Sequence, residues 1–462
     1  MSELPKGWSI ATFDDVIYSI TNGLNGKQNK DGNGIPVSRI ESIASQVVDM
    51  SRIGYLNEYD DETLEKYRLQ QGDVLFSHIN SPAHIGKTAI CEDGIALYHG
   101  VNLLRIVLNG TIEPQLFNYY CKFIRARGDF SSNAQHAVNQ SSLNQKKIKL
   151  FEIVLPAKQE QTRIANKLDS ILAKVDKAQA RLNKIPAILK RFRQSVLAAA
   201  TSGELTQSGF TSSEWQSVKL IDLVENKPRN GKSPKGVDFD TGVKNLTLSA
   251  ITPGYFVENK YKFVDLDVPT DSHLWLKNQD ILIQRANSIE YVGVSALYEG
   301  EDDQYIYPDL IMKCRANARV LSKYLYYALS SEPVRKYFRD NATGTTGNMP
   351  KINQTVVSAA PINLPQIDEQ KIIVNKVGRL FKKADKLEQQ YLDAKARLDR
   401  LTQSILAKAF RGELVPQDPN DEPAEQLLER ILKERLSQQQ KADKPKKIAK
   451  KRTTKAKITD KG

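Results

Sequence analysis

The chain has 462 residues, of which 40% are apolar and 26% charged, and its net charge is +13. That length exceeds one hydrophobic core and predicts two to four packed domains. No apolar run approaches the roughly 18 residues a membrane-spanning helix needs, so no such helix is expected. The N-terminal MSELPKGWSI has no apolar signal core, and Cys91, Cys121 and Cys314 are far apart without a CxxC pair. Together these predict a cytoplasmic protein whose cysteines pack in cores rather than form disulfides or zinc sites. The positive charge is concentrated at the end: from Lys441 onward ten Lys or Arg stand against Asp443 and Asp460, so the preceding residues are only mildly basic.

In chain order, residues 1–155 begin with Trp8, Phe13 and Asp15 and continue through short β-rich runs, IPVSRI, DVLFSHI and VNLLRIVL. The helical stretch QLFNYYCKFIRARGDF follows. Mixed short strands and helices separated by Gly and Asn turns predict an α+β module with antiparallel sheet. A helix of about 50 residues (156–207) comes next, and then the pattern starts again. Trp215, Leu220 and Asp222 repeat the opening, KNLTLSA, DILIQRA and DLIMKCR repeat the strands, and SKYLYYALSSEPVRKYF repeats the helices of a second module, 208–363. A second long helix spans 364–415, an amphipathic extension 416–440 and a disordered basic tail 441–462.

The repeat is explicit in the helices. At a constant offset of 209, residues 155–205 match 364–414 at 21 of 51 positions. LPAKQEQ lies on LPQIDEQ, and RFRQSVLAAATSGEL on RLTQSILAKAFRGEL. Ile164, Leu168, Ile171, Val175, Leu182, Leu189 and Phe192, together with Ala178, Ile185 and Val196, are spaced alternately by four and three, as are Ile373, Val377, Leu380, Leu387, Leu398, Leu401 and Ile405 together with Ala384, Tyr391 and Ala394. Several heptads with an apolar seam predict a coiled coil. Because the chain must return along the second helix, the pairing is expected to be antiparallel, with the modules at opposite ends of a pseudo-twofold rod. About 40 helical residues give a rod on the order of 60 Å, longer than a DNA turn of about 34 Å. Pro186 has Lys395 as its counterpart, so only the first helix is expected to kink.

Catalytic constellations are not evident. GKT at Gly86 and GKS at Gly231 lack the preceding glycine of a phosphate-binding loop, since Ser81 and Asn226 sit there. His78, His84, His99, His136 and His273 have no paired metal-ligand spacing and read as surface or turn residues. Matched loops follow the D-[VI]-L strands: SHINSPAHIGK presents Ser77, His78, Asn80, Ser81 and Lys87, and QRANSIEYVGV presents Arg285, Asn287 and Ser288. Asn reads adenine and Arg reads guanine, so these residues and Arg39 are candidate DNA contacts. The alternative is that Asn-Ser makes the turn through its own side chain. The remaining module surfaces diverge, NGLNGKQNKDGNG against NKPRNGKSPKGVDFDTG.

W-x4-F/L-x-D, GDVLF, DILIQRANS, the duplicated LPxxxEQ and QSILAKAFRGEL together resemble the specificity (S) subunit of Type I restriction–modification enzymes. The resemblance implies a prokaryotic, non-catalytic subunit whose two target recognition domains each read one half of an asymmetric bipartite site in double-stranded DNA. It implies helices that act as a ruler and dock two modification (methyltransferase) subunits, with restriction subunits completing the complex. S-adenosylmethionine, ATP and Mg would then serve those partners, and this chain would hold no cofactor or metal. The competing reading from another class is a coiled-coil scaffold with two non-DNA binding modules.

Overall fold

The computed structural model describes residues 4–57, 59–137, 140–206, 215–344, 349–434 and 437. The basic tail expected at 441–462 lies outside them. The chain divides into two compact units that cut across the repeat: Met1–Ala180 with Ala394–Gly462, and Arg181–Asp393. Each unit holds one module, the start of the helix that follows that module, and the end of the other long helix.

The two modules share one topology. In the first, a four-stranded antiparallel sheet runs in the order Ile17–Asn22, Leu104–Leu108, Val74–Phe76, Thr88–Ile90. In the second the order is Arg229–Asn230, Ile311–Arg315, Asp280–Gln284, Ser295–Leu297. Helices Pro114–Ala126 and Asp129–Asn133 cover the first sheet, and Ser322–Ser330 and Glu332–Asp340 the second. A two-stranded ribbon closes each module at its base, pairing Ser9 with Leu155 in one and Gln216 with Leu364 in the other. Each module is therefore entered and left at adjacent points.

The repeated residues serve this frame. Asp15 Oδ2 accepts the Thr12 N–H at 2.8 Å, and Asp222 Oδ2 accepts the Lys219 N–H at 3.1 Å, capping the turn after each ribbon strand. Asp73 is tied to the Gln70 N–H and to Arg105 at 2.7 Å each; Asp280 is tied to the Lys277 N–H and to Arg315 at 2.8 Å each. Leu143-Asn-Gln and Ile352-Asn-Gln are a buried anchor followed by a helix N-cap, with Asn144 accepting from Lys147 and Asn353 from Val356.

LPxxxEQ is the joint between module and helix. Gln161 and Gln370 are fully buried. Gln161 accepts the Glu113 N–H at 2.9 Å and donates to the carbonyls of Thr111 and Pro156, both at 3.0 Å. Gln370 repeats this with the Leu321 N–H at 2.8 Å and the carbonyls of Arg319 and Pro365 at 3.2 and 3.0 Å. A buried carboxamide with its donors and acceptor engaged fixes the angle at which the helix leaves its module.

The first long helix is two helices, Lys158–Leu182 and Ile185–Ser202. The interruption follows from Pro186, whose ring clashes with the carbonyl four residues back, that of Leu182, but which is tolerated in the first turn of a new helix. The second, with Lys395 in place of the proline, runs unbroken over Ile367–Ala409. Within the second unit Arg193 reaches Asp385 and Glu388 while Lys376 donates to the Leu205 carbonyl, so the helix segments there run antiparallel.

The apolar seam is closed where it meets the modules. Ile164, Leu168, Ile405 and Ala409 join Phe13, Phe76, Phe117 and Phe130 in one core; Val196, Ala200, Ile373 and Val377 join Leu220, Tyr324 and Phe338 in the other. Leu189 is buried as well, while Ile171, Val175, Leu182, Leu380 and Leu398 are half-buried. Three expected seam residues are instead exposed: Phe192 at 38%, Leu387 at 52% and Leu401 at 46%. The break at 183–184 resets the helical phase, so Leu189, Arg193, Val196 and Ala200 face inward and Phe192 falls beside them. Arg193 then places an ion pair at the level of Leu387. Exposed pairs of that kind contribute about 0–1 kcal/mol, against about 1.5–3 kcal/mol for each buried large apolar side chain, so the module-end cores hold the helices. Leu401 is displaced because Leu398, Thr402, Ile405 and Ala409 form the inward stripe, the drift expected of 3.6-residue turns against a 3.5 repeat.

Residues 424–434 are helical, with Ala424 and Leu427 buried and Leu428 packed against the first unit's core. The apolar side of this extension is covered within its own unit as far as Leu428, whereas Leu432 is exposed, and Arg163 pairs with Asp421 beside it. No helix among the described residues is long and apolar enough to cross a membrane.

Candidate nucleic-acid interface

In the first module, strand Val74–Phe76 leads into Ser77, His78, Ile79 and Asn80, and a small second sheet forms where Asn80 pairs with Ser141. This places His78, Asn80 and Ser81 along a cleft of about 610 Å³ together with Asn22, Ile40, Ile79, Val101 and Asn102. The lining is neutral and rich in carboxamides. His78 has a buried Nδ1 without a partner among the described residues, and burial lowers its pKa, so the ring is an uncharged donor–acceptor at neutral pH.

Most of the loop residues singled out from sequence have structural partners. Ser77 is corrected: its side chain is buried, accepting from Asn80 Nδ2 at 3.2 Å, because it continues the inward face of the strand. Asn80 Oδ1 accepts the Ser81 N–H at 2.8 Å and Asn287 Oδ1 accepts the Ser288 N–H at 2.7 Å, so in both modules the Asn side chain builds its own turn. Lys87 Nζ donates to the Ala44 carbonyl at 2.5 Å, and burial followed by Arg125 lowers its pKa. Arg39 forks onto Glu41 at 3.3 Å, and Arg285 Nε donates to the Ile352 carbonyl at 3.3 Å. His99, expected at a surface or turn, is fully buried; Nε2 bonds the Leu103 carbonyl at 3.0 Å, and burial drives its pKa down to about 4.

The second module differs in charge. A groove of about 170 Å³ is lined by Lys227, Arg229, His273, Lys313 and Arg315, with Glu225 and Asp280 as the acidic members. Asp280 holds Lys313 at 3.2 Å and Arg315 at 2.8 Å, whereas Lys227 and Arg229 have no salt bridge among the described residues. Burial, then Arg229, lowers the pKa of His273 and keeps it neutral. Excess cation in a concave surface suits phosphate. A neighbouring cleft of about 680 Å³ has the opposite character, with Glu258, Glu299, Glu301 and Asp302 around Tyr298 and Tyr305, and such a surface repels a nucleic-acid backbone.

Sequence reasoning missed Asn22, Asn102, Lys227, Arg229 and His273. Asn22, Lys227, Arg229 and His273 lie in stretches where the modules diverge, away from the repeated strand motifs, whereas Asn102 sits in the turn that opens VNLLRIVL, where the β-rich run masks it.

A family model described as Type I restriction modification DNA specificity domain matches the chain twice, at residues 5–187 and 212–394. The chain is 31% identical to the Type I restriction enzyme EcoKI specificity subunit of Escherichia coli K12, covering 94% of this chain and 97% of that protein. It is 30% identical to the StySPI specificity subunit of Salmonella potsdam, over 94% and 96%. A chain solved in work on complex assembly and conformational transition of the type I R-M system superposes with a TM-score of 0.62 at 16% identity, covering 89% of this chain and all of that one. With the whole frame matched twice over, the chain belongs to the Type I restriction–modification DNA specificity family.

Proposed function

We propose that this chain is the non-catalytic recognition subunit of a Type I restriction–modification complex, in which each module reads one half of a bipartite site in double-stranded DNA. The observation that carries the reading is one frame built twice with two unlike clefts. Trp8, Asp15, Asp73, Asn144 and Gln161 recur with the same bonds as Trp215, Asp222, Asp280, Asn353 and Gln370. The clefts, by contrast, do not recur: the carboxamide-rich one of the first module lies beyond the end of strand Val74–Phe76, and the basic one of the second lies at the start of strand Asp280–Gln284. A duplicated frame with different faces serves two different half-sites.

The long helices fix the spacer between halves and dock two modification subunits, with restriction subunits completing a cytoplasmic complex. S-adenosylmethionine, ATP and Mg act in those partners. Selection from a random duplex library, using the full chain with the modification subunits of its system, tests this. A split sequence with a fixed gap is expected. Retention of DNA without any preferred sequence would favour a scaffold instead.

A further inference from the structure

One pair of residues occupies the same place in both modules although the offset of 207 that aligns the neighbouring strands does not bring them together. The outer strand Ile17–Asn22 ends at Asn22, which pairs with Leu104, itself paired with Phe76. In the second module Arg229–Asn230 ends at Asn230, which pairs with Met312, itself paired with Ile283. Phe76 and Ile283 are equivalent strand positions, so sheet register makes Asn22 the counterpart of Asn230, one residue beyond that offset.

The residue after each asparagine confirms the register. A Cβ on Gly23 would overlap the His99 carbonyl, and one on Gly231 the Tyr307 carbonyl. The next N–H donates to that same oxygen, from Leu24 at 2.7 Å and from Lys232 at 3.0 Å. Close backbone approach therefore explains the two glycines.

It does not explain the asparagines. An Asn retained for its turn bonds its own backbone, as Asn80 and Asn287 do. Asn22 and Asn230 are exposed, and neither carboxamide has a hydrogen-bond partner among the described residues. Their surroundings have nothing else in common: Asn22 borders the cleft of His78 and Asn102, and Asn230 follows Arg229 of the basic groove.

We infer that Asn22 and Asn230 are equivalent backbone contacts, each donating from Nδ2 to a phosphate oxygen of its own half-site. This rests on the reading that each module binds one half-site. A feature shared by two readers of different sequences must meet something both half-sites share, and the sugar–phosphate backbone is that. Such contacts set register on the duplex without reading bases, leaving the divergent cleft residues to do the reading.

The test uses the full chain with its modification subunits. The wild type first selects its site from a random duplex library; affinity for that duplex is then measured across salt for Asn22→Ala, Asn230→Ala, Asn22→Asp and Asn230→Asp. Each Ala variant is expected to bind roughly tenfold more weakly, with base preference unchanged in both halves. The isosteric Asp variants are expected to lose more, because a carboxylate repels phosphate, and to recover part of the loss relative to wild type as salt rises. They also decide the matter should an Ala variant fail to fold. Altered base preference in the substituted module's half, or unchanged affinity in the variants, would overturn the assignment. A wild type that selects no split site would instead overturn the underlying reading, and it would do so before any substitution is made.

Discussion

The Trp8 indole N–H donates to Glu160 Oε2 at 2.8 Å, joining the entry strand of the first module to the helix that leaves it. Trp215 makes the same bond to Glu369 at 2.9 Å. Trp8→Phe removes the donor and leaves a buried carboxylate with less compensation, so it is expected to lower the stability of its unit by about 1–3 kcal/mol. Guanidinium unfolding followed in each unit separately is the measurement, since two units need not melt together. Equal loss in both units would contradict a local joint.

The two joints differ in one atom's environment. Thr206 Oγ1 donates to Glu369 Oε1 at 2.5 Å, but the position equivalent to Thr206 is Val415, and Glu160 Oε1 is buried without a partner among the described residues. Burial raises the Glu160 pKa against the smaller opposing effect of the Trp8 bond. A carboxyl whose folded pKa is raised stabilises the fold below its unfolded value, about 4.3, and that contribution is lost as pH rises through the folded value. Relative to wild type, Glu160→Gln should therefore gain stability as pH rises from about 4 to about 7. Denaturation midpoints across that range report it, and the opposite trend would show that the charge is favourable. Val415→Thr, by supplying the missing donor, should stabilise the first unit by about 1 kcal/mol.

Gly86 and Gly293 have φ of +73° and +77°, and a Cβ on either would overlap the ring of Phe130 or Phe338. Alanine at either is expected to cost more than about 2 kcal/mol, from left-handed strain added to overpacking. Thermal or chemical unfolding of each variant measures this, and a loss below about 0.5 kcal/mol, typical of a neutral surface change, would mean the ring moves aside freely.

Cys91, Cys121 and Cys314 are all free and buried, and burial pushes the thiols of Cys91 and Cys314 up to about 12 and that of Cys121 higher still. All three should react with a thiol reagent only after unfolding. Rapid native labelling of any one would place it at a surface.

Much of the frame was legible because periodicity and repetition are local properties of sequence. The 209-residue offset, LPxxxEQ at each helix start and the glycines beyond each helix end mark helices that the structure contains. What escaped depended on phase and partners. A proline expected to kink a helix divides it, and the shifted phase takes Phe192 off the seam. Asn80 and Asn287 have the right chemistry for a base edge, yet their bonds lie within their own turns. Asn22 and Asn230 went unnoticed because a single-residue shift between outer strands hides their equivalence, which sheet register reveals.

Under the proposed function, each module reads its own half of a split site. Because the first module is entered and left through the paired strands Ser9–Thr12 and Glu152–Leu155, residues 13–151 can be exchanged for those of a relative while Trp8, Glu160 and both long helices stay in place. Mapping methylated bases in DNA from cells carrying the wild-type or the exchanged chain is the most direct measurement. One half of the methylated sequence is expected to change while the other half and the spacer persist; change in both halves, or in neither, would contradict two independent readers.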